Sequence, residues 1–279
     1  YNILLIDWKP IWWKWNYDKG NRGFDKNHIK TWNINFEENI WIKKAKLFYK
    51  FEGTINYPST REQSLRLLNY FISNHFNNFW ILEDAMYEWD DFVNHSLIST
   101  ALNFWLLNPL ELIRLIEKQD TDLNNKEWFI RQVLWWREYI YQFFQHYKDE
   151  IYINNFFSHK NNLPDFFWWK DLDKCKMNCL KKVIKRVLKN NYSHHIERLM
   201  IIWNFCLLIW VNPFELNKWF FEKYTDAFEW VVSPNVLWMS QYSDWWKIAT
   251  KPYISSWNYI NKMSDFCKNC SYNVKTKYE

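Results

Sequence analysis

Beyond residue 58 the apolar residues recur mostly at helical spacing. Leu65, Leu68, Phe71 and Ile72 form one such stripe, and Ser59 with Glu62 fits a capping box, so a helix is expected to start at Ser59. Asn108-Pro109 sets an N-cap and a first-turn proline ahead of Leu110, Ile113 and Ile116, and Asn212-Pro213 repeats the device. Phe129, Val133, Trp136, Ile140 and Phe144 make a further stripe, as do Leu180, Val183, Ile184, Val187 and Leu188. Ser193 can cap a segment that is apolar on nearly all sides through Ile209, which predicts a helix at the centre of the domain. Residues 233–264 carry turn formers without a sustained period and are expected to be ordered but irregular. Residues 1–57 hold one short apolar run, Ile3 to Ile6, and little periodicity. The pattern therefore predicts a mainly α chain, with a helical domain over 58–279 and the end of an N-terminal domain plus linker over 1–57. No internal repeat is visible.

Composition changes this picture at one point. The 279 residues contain 3 glycines and 22 tryptophans, where ordinary usage predicts about 20 glycines. Several tryptophans stand among turn formers, in Asp7-Trp8-Lys9-Pro10, Asp244-Trp245-Trp246-Lys247 and Ser255-Ser256-Trp257-Asn258. Those are places where a chain needs positive φ or close backbone approach, which glycine supplies and an indole does not. Read with glycine for tryptophan, they become ordinary turn sequences. A genuinely tryptophan-rich protein is the other reading, but it gives no reason for tryptophan to gather at turn centres while glycine vanishes. The expectation is a gene in which UGA encodes glycine, read here as tryptophan; the excess of lysine over arginine and the abundant asparagine fit an A+T-rich coding sequence.

A charged fraction of 24% beside 48% hydrophobic residues excludes a disordered chain and an ordinary membrane protein. The longest apolar run, Leu199 to Val211, is interrupted by Asn204 and is shorter than the ~20 residues a bilayer requires. No membrane partner is expected. The first residues lack both Met and the order of a signal peptide, so an internal fragment is expected. Five cysteines, an odd number, argue for a reducing, cytoplasmic setting over a secreted disulfide scaffold. A net charge of +5 identifies no nucleic-acid binder by itself. The basic residues from Lys170 to Lys189 read either as a solvated helix face or as a phosphate-facing surface. Cys267-x-x-Cys270 can present two thiolates to one metal, and Cys175-x-x-x-Cys179 offers two more near a helix start. Four-thiol zinc and a redox pair are the competing readings.

With glycine restored, His95-Ser96-Leu97-Ile98-Ser99, Phe129 to Tyr139, Ser193-His194-His195-Ile196-Glu197-Arg198-Leu199-Met200, and the stretch from Asn235 to Cys267 resemble the iron–sulfur bacterial cryptochromes and photolyases, the prokaryotic (6-4) photolyase group. The resemblance covers nearly the whole chain. It puts family glycines at Trp8, Trp12, Trp13, Trp80, Trp105, Trp128, Trp135, Trp203, Trp210, Trp238, Trp245, Trp246 and Trp257, and genuine tryptophans at Trp15, Trp136, Trp168, Trp219 and Trp230. Trp32, Trp41, Trp89 and Trp169 stay unassigned.

The resemblance implies the all-helical FAD-binding domain of the cryptochrome/photolyase fold, with the N-terminal α/β antenna domain mostly missing. It implies light-dependent repair of UV-damaged DNA by reduced FAD on a flipped pyrimidine lesion. His195 would act as general acid with His194 in support, and Tyr253 and Tyr259 would contact the lesion. Ser96 and Ser99 match the positions binding the FAD phosphates, and Gln132, Arg137, Asn204, Asp226 and Asn235 match cofactor-lining positions. Trp168 and Trp219 resemble an aromatic electron relay; Phe220 departs from the tyrosine often found there. Cys179, Cys267 and Cys270 match three ligands of a four-iron four-sulfur (4Fe-4S) cluster whose fourth lies beyond Glu279 in relatives, while Cys206 reads as core. A lumazine antenna belongs to full-length relatives only, and a monomer is expected. A flavin blue-light receptor without repair, and a cofactor-free helical nucleic-acid binder using exposed aromatics, are the rival readings.

Overall fold

The structure is a computed structural model that describes residues 5–6, 9–10, 21, 24–49, 56–168, 170–249 and 251–276. Trp8, Trp12, Trp13, Trp15 and Trp169 lie outside the described residues. A short antiparallel ribbon pairs β1 (Leu5–Ile6) with β2 (Lys9–Pro10). All other regular structure among the described residues is helical. After α1 (Ile40–Tyr49) come α2 (Arg61–Asn74), α3 (Phe79–Leu82), α4 (Ser99–Asn103), α5 (Pro109–Glu117), α6 (Leu123–Ile130) and α7 (Arg137–Tyr147). The second half holds α8 (Asn178–Asn190), α9 (His195–Glu197), α10 (Asn204–Leu208), α11 (Pro213–Lys223), α12 (Glu229–Ser233) and α13 (Trp257–Met263).

Local chemistry explains where these helices begin. The Asn108 side chain accepts from the Leu110 and Glu111 amides at 2.8 and 3.4 Å, and Asn212 accepts from Phe214 at 2.9 Å, with proline in the first turn each time. Replacing Asn212 with alanine should cost about 1 kcal/mol, seen as a lower urea midpoint at unchanged slope; an unchanged midpoint would show the cap to be idle. Two starts differ from the sequence expectation by one residue. Thr60, not Ser59, caps α2 by accepting from Gln63, while Ser59 binds the Gln63 side chain. His194, not Ser193, precedes α9, because the Ser193 hydroxyl is paired with the Tyr224 phenol at 2.9 Å. The segment expected to be irregular holds the last residue of α12, its extension Pro234–Ser240 and α13; the described residues between Ser240 and Trp257 lack regular structure.

Three long helices change pitch midway. Arg131–Trp136 joins α6 to α7, Arg198–Trp203 joins α9 to α10, and Pro234–Ser240 extends α12, each as a π-helical turn. Such wide turns redirect side chains and recur at functional sites.

Two apolar cores flank the molecule's middle. One gathers Leu67, Phe71, Phe76, Phe79, Ile113 and Phe129 from α2–α6, with Trp32, Ile34, Phe36 and Tyr57 packed onto it from the segment before α2. The larger gathers Val183, Ile184, Ile202, Leu216, Trp219, Val236 and Phe266 from α8–α13. Helix α8 buries Leu180, Val183, Ile184 and Val187, and its outer lysines are largely paired: Lys181 with Asp173, Lys182 with Glu88, Lys189 with Asp91. Part of the basic stretch is therefore paired with acidic neighbours in place.

Candidate functional site

At the seam between the two cores lies a cavity of about 740 Å³. All three π turns line it: Gln132, Val133 and Trp136 from the first, Arg198, Leu199, Met200 and Trp203 from the second, Asn235 and Met239 from the third. The loop before α4 supplies His95 and Ser96, the first residue of α4 is Ser99, and the irregular segment supplies Lys251, Tyr253 and Ser255, with Tyr259 from α13. Residues far apart in sequence thus meet because wide turns tilt their side chains inward.

One wall is a satisfied polar cluster. Arg198 donates to Asp226 Oδ1 and Oδ2 at 3.2 and 3.0 Å and to the Ser193 carbonyl at 2.7 Å, with its guanidinium over the Tyr224 ring at 4.4 Å. Asp226 also accepts from the Ser99 hydroxyl at 2.8 Å, and its backbone carbonyl accepts from Asn103 at 2.9 Å. Asp226 therefore pins α4 to the central helix. Arg137 is different. Its Nε is buried without a partner, its Nη2 reaches only the Leu102 carbonyl at 3.4 Å, and its guanidinium lies over Trp230 at 4.6 Å. A guanidinium with an unspent donor at a cavity wall suits an anionic group such as a phosphate.

The two adjacent histidines separate. His195 lines the cavity, where solvent reaches it, and meets Trp203 edge-on at 5.9 Å. Desolvation and the nearby Arg198 push its pKa below the ordinary value, so it is a neutral imidazole near pH 7. His194 is fully buried behind the wall, stacked on His95 at 4.3 Å with its Nε2 3.6 Å from Glu197 Oε1. Glu197 is paired with Arg186, which also holds Asp91. Of the other sequence candidates, Ser96, Ser99, Gln132, Arg137, Asp226, Asn235, Tyr253 and Tyr259 face the cavity. Asn204 does not line it: its amide exchanges two hydrogen bonds with the Ser255 backbone, at 3.1 and 3.2 Å, and ties 251–256 to the central helix. Sequence reasoning assigned no role to Arg198 or His95, although both stand inside motifs it singled out.

Trp219 is fully buried and donates its indole N–H to the Phe167 carbonyl at 3.0 Å. Ring contacts run from the cavity wall at Trp203 to Phe220, Trp219 and Phe167, with centroids 5.3, 5.3 and 5.1 Å apart. Trp168 follows Phe167 at partial exposure, with Lys223 over its ring at 4.9 Å. The chain lies 36% identical to a "(6-4) photolyase" of Agrobacterium fabrum over 292 aligned positions, spanning 99% of this chain and 56% of that protein. It belongs to the photolyase/cryptochrome family.

The chain thus spans about half the length of that curated relative. A crystal structure of a bacterial class III photolyase from Agrobacterium tumefaciens superposes with a TM-score of 0.55 at 17% identity, over 64% of this chain and 37% of that one, and shares the helical fold. A 75-residue stretch is 41% identical to an uncharacterised protein of Acanthamoeba polyphaga mimivirus, covering 27% of this chain and 61% of that one. No family model matches. In this photolyase-family chain no helix among the described residues is long and apolar enough to cross a membrane.

The cysteines gather at the edge of the larger core. Asn178 donates to the Phe266 carbonyl at 2.9 Å and holds the start of α8 against the turn Phe266–Asn269. Cys175 and Cys179 are buried there; burial, then Cys270, Cys267 and Cys175, push the Cys179 thiol up to about 12. The donor set has the softness an iron–sulfur cluster takes, but among the described residues no three His, Cys, Asp or Glu close on one point. Cys175, Cys179, Cys267 and Cys270 thus share one edge of the core without converging on a single ion. Cys206 is fully buried in the core.

Proposed function

We propose that the protein to which this chain belongs is a light-dependent DNA repair lyase of the (6-4) type that holds FAD in the 740 Å³ cavity and takes UV-damaged DNA as substrate. The observation that carries this reading is the convergence on one cavity of His195, Tyr253 and Tyr259 with Arg137, whose Nε is buried without a partner. The residues present fit a dinucleotide in kind: an unspent guanidinium and the Ser96 hydroxyl for anionic groups, Gln132 and Asn235 for polar edges, and Met239, Val133 and Leu199 for an apolar ring. When bound, reduced FAD excited by light would supply one electron to the lesion and recover it once the lesion's bonds have rearranged.

The chain's own residues do the rest. Arg137 and Ser96 orient the cofactor's charged end. Leu199, Met200 and Val232 exclude water from the cavity wall. His195 gives the opened lesion a proton from its imidazolium form, which the negative charge that phosphates bring into the cavity would favour, and takes it back, the exchange an imidazole makes at little cost. The buried His194–Glu197–Arg186 arrangement fixes the backbone from which His195 projects. Tyr253 and Tyr259 present phenols to an extruded base.

The test is made on the full-length protein purified in the dark. A flavin spectrum and light-dependent restoration of an oligonucleotide carrying a (6-4) lesion are expected, and His195→Gln should lower repair by ~10²–10⁴ while leaving flavin content unchanged. Flavin without restoration would assign the protein to light sensing, and a colourless protein would sink the cofactor reading. Arg137→Met should weaken FAD binding by roughly 10- to 100-fold, the worth of a charge-assisted hydrogen bond, in a fluorescence titration. Equal affinity would release Arg137 from this role.

A further inference from the structure

Eight of the ten described tryptophans sorted from sequence as misplaced each carry one of two structural defects that the remaining described tryptophans lack. Trp105, Trp210, Trp245 and Trp246 hold φ angles of 59°, 60°, 56° and 65°, a left-handed conformation that penalises a bulky L-residue and that glycine adopts freely. Two of them occupy equivalent junctions. After α4, Leu106 N donates to the Ala101 carbonyl at 2.9 Å; after α10, Val211 N donates to the Cys206 carbonyl at 3.0 Å. Each bond closes a Schellman turn with the tryptophan at C′, the position where glycine ends helices, and each junction runs on into an Asn-Pro cap.

The second defect is an orphaned donor. Trp80, Trp128, Trp203 and Trp238 bury an indole N–H that meets no acceptor, which folded proteins seldom tolerate. Trp135 and Trp257, the other described members of the set, are 63% and 41% exposed. By contrast, Trp32 and Trp219 donate to the Val93 and Phe167 carbonyls at 3.1 and 3.0 Å. Trp41, Trp89, Trp136, Trp168 and Trp230 show neither a positive φ nor a buried unpaired N–H. Turn chemistry and family pattern had no access to these backbone angles or donors, yet every described tryptophan with either defect belongs to the set they chose.

We infer that positions 80, 105, 128, 203, 210, 238, 245 and 246 are glycine in the working protein, encoded by UGA, and that glycines at 128 and 203 widen the cavity and bring bare backbone to its ligand. Trp128 and Trp203 both line the cavity, and Trp203 stands edge-on to His195. The Trp203 indole therefore fills volume beside His195, and the Trp128 indole takes up room elsewhere on the cavity wall. The glycine assignment stands on backbone and donor geometry alone; the widening rests on the flavin reading above.

Peptide mass spectrometry of the protein isolated from its source cells, read beside the gene, tests the assignment. Glycine masses with TGA codons are expected at those eight positions, and tryptophan with TGG at 136, 168, 219 and 230. Tryptophan masses at the eight would overturn it. In the chain itself, joint Trp105→Gly and Trp210→Gly should raise the unfolding midpoint, whereas Trp219→Gly should lower it; a fall in the first pair counts against the inference. For the widening, the full-length protein carrying glycine at 128 and 203 should bind FAD at least tenfold more tightly than the one carrying tryptophan there, by flavin fluorescence. Glycine masses with equal FAD affinity would overturn the widening and leave the assignment intact.

Discussion

Between pH 6.5 and 4.5 the chain should lose about 2.7 kcal/mol of stability per pH unit, the worth of two net protons: three depressed imidazoles less one raised carboxyl. The imidazoles are the stacked buried pair, His95 and His194, together with His195 in the cavity wall. Desolvation lowers His95 to about 3, and burial with His95 and Arg186 nearby sends His194 well below the ordinary value. In the unfolded chain both take protons near pH 6.5, while in the folded chain neither does, so each contributes stability that is lost as pH falls below 6.5. Glu197 acts in the opposite sense. Burial raises it to about 7, so from there down to about 4.5 the folded state holds a proton that the unfolded state has released, which offsets one imidazole. Below about 4.5 that offset ends, but folded His195 takes its own proton near 4, so the slope should stay near two protons' worth down to about 3. Urea unfolding at half-unit pH steps reads the profile, and His194→Gln should flatten it by about one proton's worth. Stability that holds level across this range would mean the pair is not buried neutral.

Removing the Arg198 charge should have the largest effect of any single cavity substitution. Arg198 and Asp226 are 12% and 7% exposed, and the carboxylate accepts both guanidinium donors and the Ser99 hydroxyl. Breaking a buried pair from one side leaves an uncompensated charge and costs about 3–5 kcal/mol. Arg198→Met should therefore lower the melting temperature by on the order of 10 °C and free α4, which Asp226 holds through Ser99 and Asn103. The double change Arg198→Met with Asp226→Asn should recover part of the loss, because no charge is then stranded. A double variant as unstable as the sum of its parts would place the cost in packing against Tyr192 and Tyr224 instead.

The helix starts at Asn108 and Asn212 were legible because a cap is settled within four residues, by one side chain and the amides just after it. Ser193 failed as a cap for the opposite reason: its hydroxyl is claimed by Tyr224, thirty-one residues along. The stretch around Ser233-Pro234 read as irregular since proline and turn formers break a 3.6-residue period, yet a wide turn carries the helix through to Ser240. Helix α1 was missed because its apolar residues, Ile40, Trp41, Leu47 and Phe48, are exposed and follow no buried stripe.

Among the site candidates, the residues facing the cavity were named from motif resemblance, but nothing local told His195 in the wall from His194 behind it. Nor could spacing show that Asn204 spends its amide on Ser255, since that pairing joins segments 51 residues apart.

What the chain's letters determined alone is the helical class and the proline-led helix starts, both of which follow from chemistry acting over a few neighbouring residues. Only the packed structure decided which charges are matched, Arg198 by Asp226, and which is left with an unspent donor, Arg137. It also set the cavity between the two cores. Those outcomes depend on where three wide turns bring distant side chains together, and the free energy that selects them is burial summed over the whole domain.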